Sequence, residues 1–284
     1  MYAVTSPSET GSAKLTGVGR LRVDGGVSVR FAVRSGRSAL ADVRERDGYM
    51  VRFPRSTSIP EAILINTGGG LAGGDRVRQE ITVDEGAVAA VTTQAAERVY
   101  RSIDGLVTHI ATDLTAAAGS SLAWLPQPTI LFDRSALART VTAQVAPTAT
   151  MLIAETVILG RRAMAEKLRQ ARWRDTWRVR RGGKLIFAEN VKMDGDIAAD
   201  MQLAAVGGGA TIIATLLFVT PGAADRLEAV RSALDCDGAT LAASSWSDML
   251  AVRGLGSSSE AMQQALARVV EILTGRPVPR AWWT

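Results

Sequence analysis

The sequence predicts a mainly β protein whose body is either a sandwich or a layered, solenoid-like stack, followed by two helices. Two observations support this fold class. From about Leu15 to Val219, apolar residues alternate with polar ones or form short runs, and turn residues separate these runs at similar spacing. After Pro221 the apolar residues recur at the spacing of amphipathic helices.

Five segments of the body predict pairs of strands joined by a turn. They are "GRLRVDGGVSVRFAVRSG", "QEITVDEGAVAAVTTQ", "HIATDLTAAAGSSLAWLPQ", "RTVTAQVAPTATMLIAETVILG" and "DTWRVRRGGKLIFAENVKMDG". Each places small or turn-forming residues between two alternating runs, which is typical of hairpins. We therefore expect β-hairpins with turns at Asp24–Gly26, Asp84–Gly86, Gly119, Pro147 and Gly182–Gly183.

The C-terminal part predicts two helices with two short strands between them. The segment "AADRLEAVRSAL" follows Pro221 and Gly222, and its apolar residues share one helical face. The segment "SSSEAMQQALARVVEILTG" has serine N-caps, a terminal glycine and a clearer apolar stripe. Between them, "TLAASSW" and "DMLAVRGLG" are typical of strands. The first helix places Leu227, Val230 and Leu234 on one face, and the second forms a stripe of Met262, Leu266, Val269, Val270 and Leu273 that is typical of core packing.

Length and composition set the domain organisation and the compartment that we expect. We expect a disordered tail over residues 1–14 and one domain over 15–284, with a β body at about 15–219 and an α+β part at about 220–284. The single cysteine, Cys236, excludes an intrachain disulfide. The longest apolar run, at 210–219, is shorter than the ~20 residues that span a bilayer. These features predict a cytoplasmic protein without a membrane segment.

The glycine-rich segment "ILINTGGGLAGGDRV", residues 63–77, satisfies the letter pattern of a dinucleotide-binding loop. Such a loop opens a helix whose N-terminus holds the pyrophosphate. Here the segment after Gly73 alternates like a strand and reaches a turn at Gly86. We therefore expect a bent strand or a close approach of two backbone segments, ending in Asp75.

Residues for catalysis or tight metal binding are sparse. The single histidine, His109, alternates with apolar neighbours on a predicted strand, and Cys236 lies in a predicted loop. The sequence holds no motif of paired histidines or cysteines for zinc, copper or nickel. The arginines of 161–184 invite a nucleic-acid interpretation, but their alternation also fits an ordinary solvated strand face, and we expect no nucleic-acid partner.

Five blocks of the sequence resemble the urease accessory protein family UreD, also called UreH. They are, in order, "INTGGGLAGGD", "TTQAAERVYRS", "WLPQPTILFD", "ILGRRAMAE" and "GKLIFAENVKMDG". The terminal "PVPRAWWT" resembles the way that the family ends, so the resemblance covers about residues 15–284. It implies a layered, helix-like β-structure with two helices.

The resemblance also implies a function, that of a maturation factor that is not an enzyme. Members of the family bind apo-urease and the accessory protein UreF, which recruits the GTPase UreG, and the metallochaperone UreE is an indirect partner. Nickel passes transiently through this assembly, and no cofactor is held tightly. The alternative class is an enzyme that uses the glycine loop at 68–74 to bind a nucleotide or dinucleotide.

Three carboxylates are candidates for a transient nickel path: Asp75, Glu155 and Glu189. Glu155 interrupts an apolar strand, Asp75 ends the glycine block and Glu189 follows "LIFA". Oxygen ligands would hold a hydrated nickel ion briefly and then release it. The alternative is structural: these carboxylates cap turns, face water or pair with arginines such as Arg76 or Arg161.

The C-terminal segment "RPVPRAWWT" supplies candidate interface residues, namely Arg280, Trp282 and Trp283. Tryptophan and arginine are favoured as anchors at protein interfaces. The alternative is that this segment packs against its own domain.

Overall fold

The computed structural model describes residues 22–55, 59–161, 166 and 168–283. The predicted tail over 1–14 therefore lies outside the described residues. In chain order the first strands are β1 (Asp24–Arg34), β2 (Arg37–Arg46), β3 (Tyr49–Arg52), β4 (Glu61–Asn66), β5 (Arg76–Val83), β6 (Val88–Thr93), β7 (Glu97–Val99), β8 (Thr108–Ala116) and β9 (Ser121–Leu125). They are followed by β10 (Thr129–Leu131), β11 (Ala136–Val145), β12 (Thr150–Leu159), β13 (Ala171–Arg181), β14 (Lys184–Gly195), β15 (Ile212–Val219), β16 (Ala239–Trp246) and β17 (Met249–Gly256).

The described helices are few and lie in the last third of the chain. The α-helices are α1 (Ile197–Gln202), α2 (Leu227–Ser232) and α3 (Ser259–Thr274), and 3₁₀ helices cover Ala223–Arg226 and Arg280–Trp283. Ser258 caps α3 by accepting a hydrogen bond from the Ala261 N–H, and Gly275 ends it in the left-handed conformation. No described helix has the length and apolar character of a membrane span.

The strands form two sheets that pack face to face. One has seven strands in the order β14-β13-β11-β8-β5-β1-β2, and the other has ten, with the path β16-β17-β15-β12-β9-β6-β4-β3 and with β7 and β10 beside it. Neighbours from β1 to β13 in the first sheet and from β4 to β12 in the second are parallel. The chain alternates between the sheets, so successive coils stack like a solenoid. The predicted mainly β class, with layered, helix-like stacking and C-terminal helices, is confirmed.

Three of the five expected hairpins are instead arches between the two sheets. The turns at Asp84–Gly86, Gly119 and Pro147 join β5 to β6, β8 to β9 and β11 to β12, and in each case the two strands belong to different sheets. The sequence predicted a turn between two alternating runs, and this pattern is the same for an arch and for a hairpin. The hairpin at Gly182–Gly183 is confirmed, since β13 pairs antiparallel with β14.

The expected turn at Asp24–Gly26 was wrong, because these residues begin β1. The β1–β2 hairpin turns at Ser35 and Gly36, both with positive φ. Gly26 serves close strand packing instead, since a Cβ there would lie 1.8 Å from the carbonyl oxygen of Arg78.

The apolar residues form one core between the sheets and a second core beneath the helices. The inner faces contribute large buried side chains such as Phe31, Leu64, Trp124 and Trp177. Helix α3 covers part of the outer face of the ten-stranded sheet, where its predicted stripe and Val230 are buried. The predicted strands after α2 are β16 and β17, which continue the ten-stranded sheet beside β15. Helix α1 was not predicted; α2 is equally short, but the 3₁₀ helix at Ala223–Arg226 directly precedes it, so the helical pattern there extends over a longer run.

Candidate functional site

A buried group of charged side chains joins the two sheets near the centre of the molecule. Arg139 on β11 lies beside Asp175 on the neighbouring β13 and faces Glu155 on β12 of the opposite sheet. Its Nη1 donates to Glu155, its Nη2 donates to Asp175, and its Nε donates to Asp175 Oδ2 at 3.1 Å. All three side chains are at most 7% exposed. The arginine therefore neutralises carboxylates from both sheets.

Neutral donors and acceptors complete this group. Trp124 Nε1 donates to Glu155 Oε1 at 2.9 Å, and Arg139 Nη1 also donates to Thr129 Oγ1 at 3.3 Å. Burial raises the pKa of Glu155, while Arg139 and Trp124 oppose that rise. Burial alone would lower the pKa of Arg139, but Asp175 and Glu155 together raise it, so the guanidinium stays charged.

Glu189 extends the charged group toward the sheet edge. It lies on the inner face of β14, and its Oε1 accepts a hydrogen bond from Nη1 of Arg253 on β17. The same nitrogen donates to Thr215 Oγ1 at 2.9 Å. Two carboxylate oxygens here, Glu189 Oε2 and Asp175 Oδ1, are buried and accept no hydrogen bond within the described part of the chain. Such orphaned buried oxygens are uncommon in folded proteins.

A second, partly buried carboxylate lies toward the other end of the same interior. Glu97 on β7 accepts hydrogen bonds from Tyr49 Oη at 3.1 Å and from Asn66 Nδ2 at 2.9 Å. These residues line a cavity of about 120 Å³ that Gln79 also reaches. Burial raises the pKa of Glu97, while Asn66 and Tyr49 oppose that rise. Burial and the nearby Glu97 carboxylate raise the pKa of Tyr49.

Gln79 on β5 and Thr112 on β8 lie on the strands that come next to β11 in the seven-stranded sheet. Thr112 Oγ1 donates to Gln79 Oε1 at 2.9 Å, and both side chains are buried. From β5 to β14 these positions cross four strand spacings, roughly 19 Å at ~4.8 Å per strand. We call this series the polar track. It consists of Glu97, Gln79, Thr112, Arg139, Glu155, Asp175 and Glu189.

The structure brings two of the three predicted nickel residues into the polar track. Glu155 and Glu189 lie in it, paired with Arg139 and Arg253 rather than with Arg76 or Arg161. Asp75 lies at its edge and is 4% exposed. Its Oδ1 accepts from the Val23 N–H at 2.9 Å and its Oδ2 from the Ala72 N–H at 2.7 Å. Asp75 thus fastens the glycine loop, and its charge also contributes to the raised pKa of Glu97.

Sequence reasoning missed Arg139, Asp175 and Glu97. For the first two a signal was present, because the strand period places Arg139 and Asp175 on the same face as the large apolar residues two positions away. Each is therefore a charge on a core face. Glu97 gives no such signal, since its strand has only three residues.

The glycine block packs closely against the segment at 98–106, which is the second of the two alternatives, a close approach of backbone segments, that the sequence left open. A Cβ at Gly70 would lie 2.4 Å from the Tyr100 ring, and a Cβ at Gly73 would lie 2.3 Å from Ser102 Oγ. The block continues into β5 and not into a helix. It therefore lacks the helix N-terminus that a dinucleotide loop offers to a pyrophosphate.

The three candidate interface residues have different surroundings. Trp282 is buried, and its Nε1 donates to the Leu125 carbonyl oxygen at 2.9 Å. Trp283 is 56% exposed and Arg280 is exposed. The C-terminal segment thus packs on its own domain through Trp282, and the interface prediction now depends on Arg280 and Trp283.

The other residues considered for catalysis, metal binding or nucleic-acid binding lie far apart in the chain and form no common site within its described part. His109, the single histidine of the chain, is exposed on β8, and Cys236 is partly buried in a loop. Within the described ranges, no three histidine, cysteine or acidic residues cluster as a metal site would require. Arg172, Arg174, Arg178 and Arg180 of β13 alternate with its buried residues and so lie on its outer face, whereas Arg181 pairs with Asp248. Residues 162–165 and 167 of the basic segment lie outside the described residues.

These features define a class: a solenoid-like β protein with a charged interior that no histidine reaches. A family model described as UreD urease accessory protein matches residues 23–283. The chain is 41% identical to urease accessory protein UreD 2 of Methylorubrum populi over 271 residues, which cover 93% of this chain and 91% of that protein. It is 41% identical to urease accessory protein UreD 1 of Methylobacterium radiotolerans over 282 residues, which cover 98% of this chain and 96% of that protein. It is 40% identical to urease accessory protein UreD 1 of Brucella melitensis over 274 residues, which cover 94% of this chain and 96% of that protein. The chain belongs to the UreD family of urease accessory proteins.

Proposed function

We propose that this protein is a cytoplasmic scaffold for urease maturation and that nickel passes through its polar track on the way to the urease active site. In this proposal it binds apo-urease together with UreF, and UreF brings the GTPase UreG. UreE supplies nickel to the assembly indirectly. The chain carries out no reaction of its own and holds no cofactor tightly.

The observation that carries the nickel path is the pair of orphaned oxygens, Asp175 Oδ1 and Glu189 Oε2. Leaving a carboxylate oxygen buried without a donor costs free energy, and a cation bound at these two oxygens would offset that cost. The group counts three carboxylates, Glu155, Asp175 and Glu189, against one buried arginine, Arg139, and one exposed arginine, Arg253. The excess of negative charge favours a cation over an anion.

The ligand atoms of the polar track are better suited to the passage of nickel than to its storage. The track offers carboxylate, amide and hydroxyl oxygens, whereas a site of imidazole and thiolate would bind nickel tightly. Arg139 and Arg253 occupy one oxygen of their partner carboxylates, which leaves fewer oxygens to surround the ion at any point. A nickel ion would therefore meet a succession of weak sites rather than one closed site.

The test separates assembly from nickel delivery. The chain is produced together with UreF, UreG and the urease subunits, and the complex is isolated through a tag on this chain. We expect recovery of UreF and apo-urease with it, and nickel-loaded urease after GTP is supplied. Recovery of neither partner would contradict the scaffold, and delivery of nickel by a complex that lacks this chain would contradict the conduit.

A further inference from the structure

The outer face of the seven-stranded sheet carries five basic side chains at the end that β13 and β14 form. They are Arg172, Arg174, Arg178, Arg180 and Lys192. Arg178 and Arg180 are partly exposed, and the other three are exposed. Asp194 is the one carboxylate at the outward positions of β11, β13 and β14, which the structure describes in full. We call the five basic residues the basic face.

The charges of the basic face are not neutralised within the sheet. Among the described residues, the ion pairs of β13 and β14 are formed by Asp175, Arg181 and Glu189 and by none of the five basic residues. Arg178 donates instead to neutral acceptors, among them the side-chain oxygen of Asn190 at 3.0 Å. The positive charge of this face is therefore available to a partner.

Other strands of the same sheet treat their arginines differently. Arg30 on β1 and Arg78 on β5 each form an ion pair with a neighbouring carboxylate. On β13 and β14, by contrast, the register places Arg174 directly opposite Lys192, and like charges in this arrangement destabilise a sheet. A lysine on an edge strand such as β14 discourages unwanted strand pairing, but β13 lies inside the sheet, so this role does not account for its arginines.

The surroundings of the basic face fit a protein better than a nucleic acid. Trp173 and Trp177, which alternate with the arginines, belong to the core and are each 2% exposed, so they offer no ring on which a base could stack. The broad face of a sheet also does not enter the groove of a duplex. Leu185, opposite Arg180, is 44% exposed and offers an apolar contact beside the charges. Arginine, unlike lysine, is enriched in protein interfaces.

We infer that the basic face docks an acidic surface of a partner protein in the urease maturation assembly. Carboxylates of that surface would lie against Arg174 and Lys192 and would offset the repulsion between them. A second copy of this chain is the wrong occupant, because its own basic face presents the same charge. This inference rests on the proposed function, because it gives the scaffold one of its docking surfaces.

The test measures two affinities: that of the full-length chain for UreF, and that of the chain with UreF bound for apo-urease. We expect one of them to fall at least tenfold between about 50 mM and about 500 mM NaCl, because salt screens exposed charges. The double variant Arg174→Glu, Lys192→Glu should weaken the same affinity at least tenfold at the lower salt concentration. The matched control is Arg44→Glu, Arg46→Glu, which changes the net charge equally at exposed positions of β2 and should leave both affinities unchanged.

The single variant Lys192→Glu separates docking from folding. It places an opposite charge across from Arg174, so it should raise Tm by about 1–3 °C while it weakens binding of the same partner. The inference is overturned if neither affinity responds to the double variant, or if the β2 control weakens binding equally. It is also overturned if the double variant abolishes binding of a DNA duplex or of phosphatidylserine vesicles and leaves both protein affinities unchanged.

Failure of this inference is distinguishable from failure of the proposed function. If the wild-type chain binds UreF and apo-urease and the double variant binds both as tightly, only the docking role of the basic face is rejected. If the wild-type chain binds neither partner, the scaffold is rejected, and this inference is rejected with it.

Discussion

Arg139 on β11 donates a hydrogen bond to Glu155 on β12, and this ion pair connects the two sheets across the interior. The two strands follow each other in the chain, but the arch at Pro147 carries the second strand into the opposite sheet. Asp175 shares the same guanidinium from the neighbouring strand. Arg139 is thus the cation on which two buried carboxylates depend.

The first prediction concerns the stability that Arg139 provides. Arg139→Met leaves Glu155 and Asp175 without their cation, and removal of one partner of a buried ion pair costs about 3–5 kcal/mol in the free energy of unfolding. Chemical denaturation measures this loss. The control is Arg78→Met, which breaks exposed pairs with Glu80 and Asp113 and should cost about 1 kcal/mol or less. Equal losses for the two variants would contradict the assigned role.

The second prediction separates the adjacent tryptophans of the C-terminus. Trp282→Ala removes a buried side chain and its hydrogen bond to Leu125, so we expect a loss of about 3–5 kcal/mol in unfolding free energy. Trp283→Ala changes a side chain that is 56% exposed and should alter stability by about 0.5 kcal/mol or less. If Trp283 anchors a partner, Trp283→Ala weakens recovery of UreF or apo-urease in a pull-down while Tm is unchanged. Unchanged recovery of both partners would remove Trp283 from the interface.

The third prediction concerns pH and Glu97. Burial raises the pKa of Glu97 in the folded state above its unfolded value, so the native state holds this proton more tightly. Below the unfolded pKa the carboxyl is protonated in both states, and stability is lost as pH rises from there through the folded pKa. Glu97→Gln removes this titration. The unfolding free energy of wild type relative to Glu97→Gln should therefore fall as pH rises above about 4, the ordinary range of a glutamate pKa, and a constant difference would count against this prediction.

The fourth prediction concerns the packing of the glycine block. Gly70→Ala places a Cβ against the Tyr100 ring and also strains a positive φ, so its cost includes about 1–3 kcal/mol of overpacking. The matched variant is Gly69→Ala, where φ is also positive but no atom lies within 4 Å of the added Cβ. Its cost should be confined to the left-handed backbone, about 1–2 kcal/mol. Thermal unfolding of both variants decides, and the packing explanation fails if Gly69→Ala is the more damaging.

The sequence predicted strands and turns well but not which strands pair. Alternation and turn residues are local properties, and β5 and β6 look like a hairpin although their partners lie one coil away. Helix α3 was predicted with its cap and its stripe, because sixteen residues show the helical period clearly. Short α1 left no such trace.

The polar track was predictable only where one strand by itself contains the signal. Glu155 was identified because it interrupts an apolar run, a signal that a single strand contains. The partnership of Glu155 with Arg139 and Trp124 depends on three strands that meet only in the folded state. For Asp75, the sequence identified the residue but not its role. Its position at the end of the glycine block marked it as a candidate, and its carboxylate accepts hydrogen bonds from two backbone N–H groups, which is a structural role. The local sequence pattern is the same for a carboxylate with this role and for one that binds a metal.

The measurement that tests the nickel path most directly is the nickel content of urease matured with Glu155→Gln, Glu189→Gln and the double variant. These changes keep side-chain size while removing the charge that attracts a cation. Glu80→Gln, on the outer face of β5, is the control. Each complex is first shown to contain UreF and apo-urease in wild-type proportions, and nickel per urease active site is then measured by elemental analysis. We predict that the double variant lowers this nickel content at least fivefold, while the control retains the wild-type value. Full nickel loading by a double variant that assembles normally would contradict the passage of nickel through the polar track.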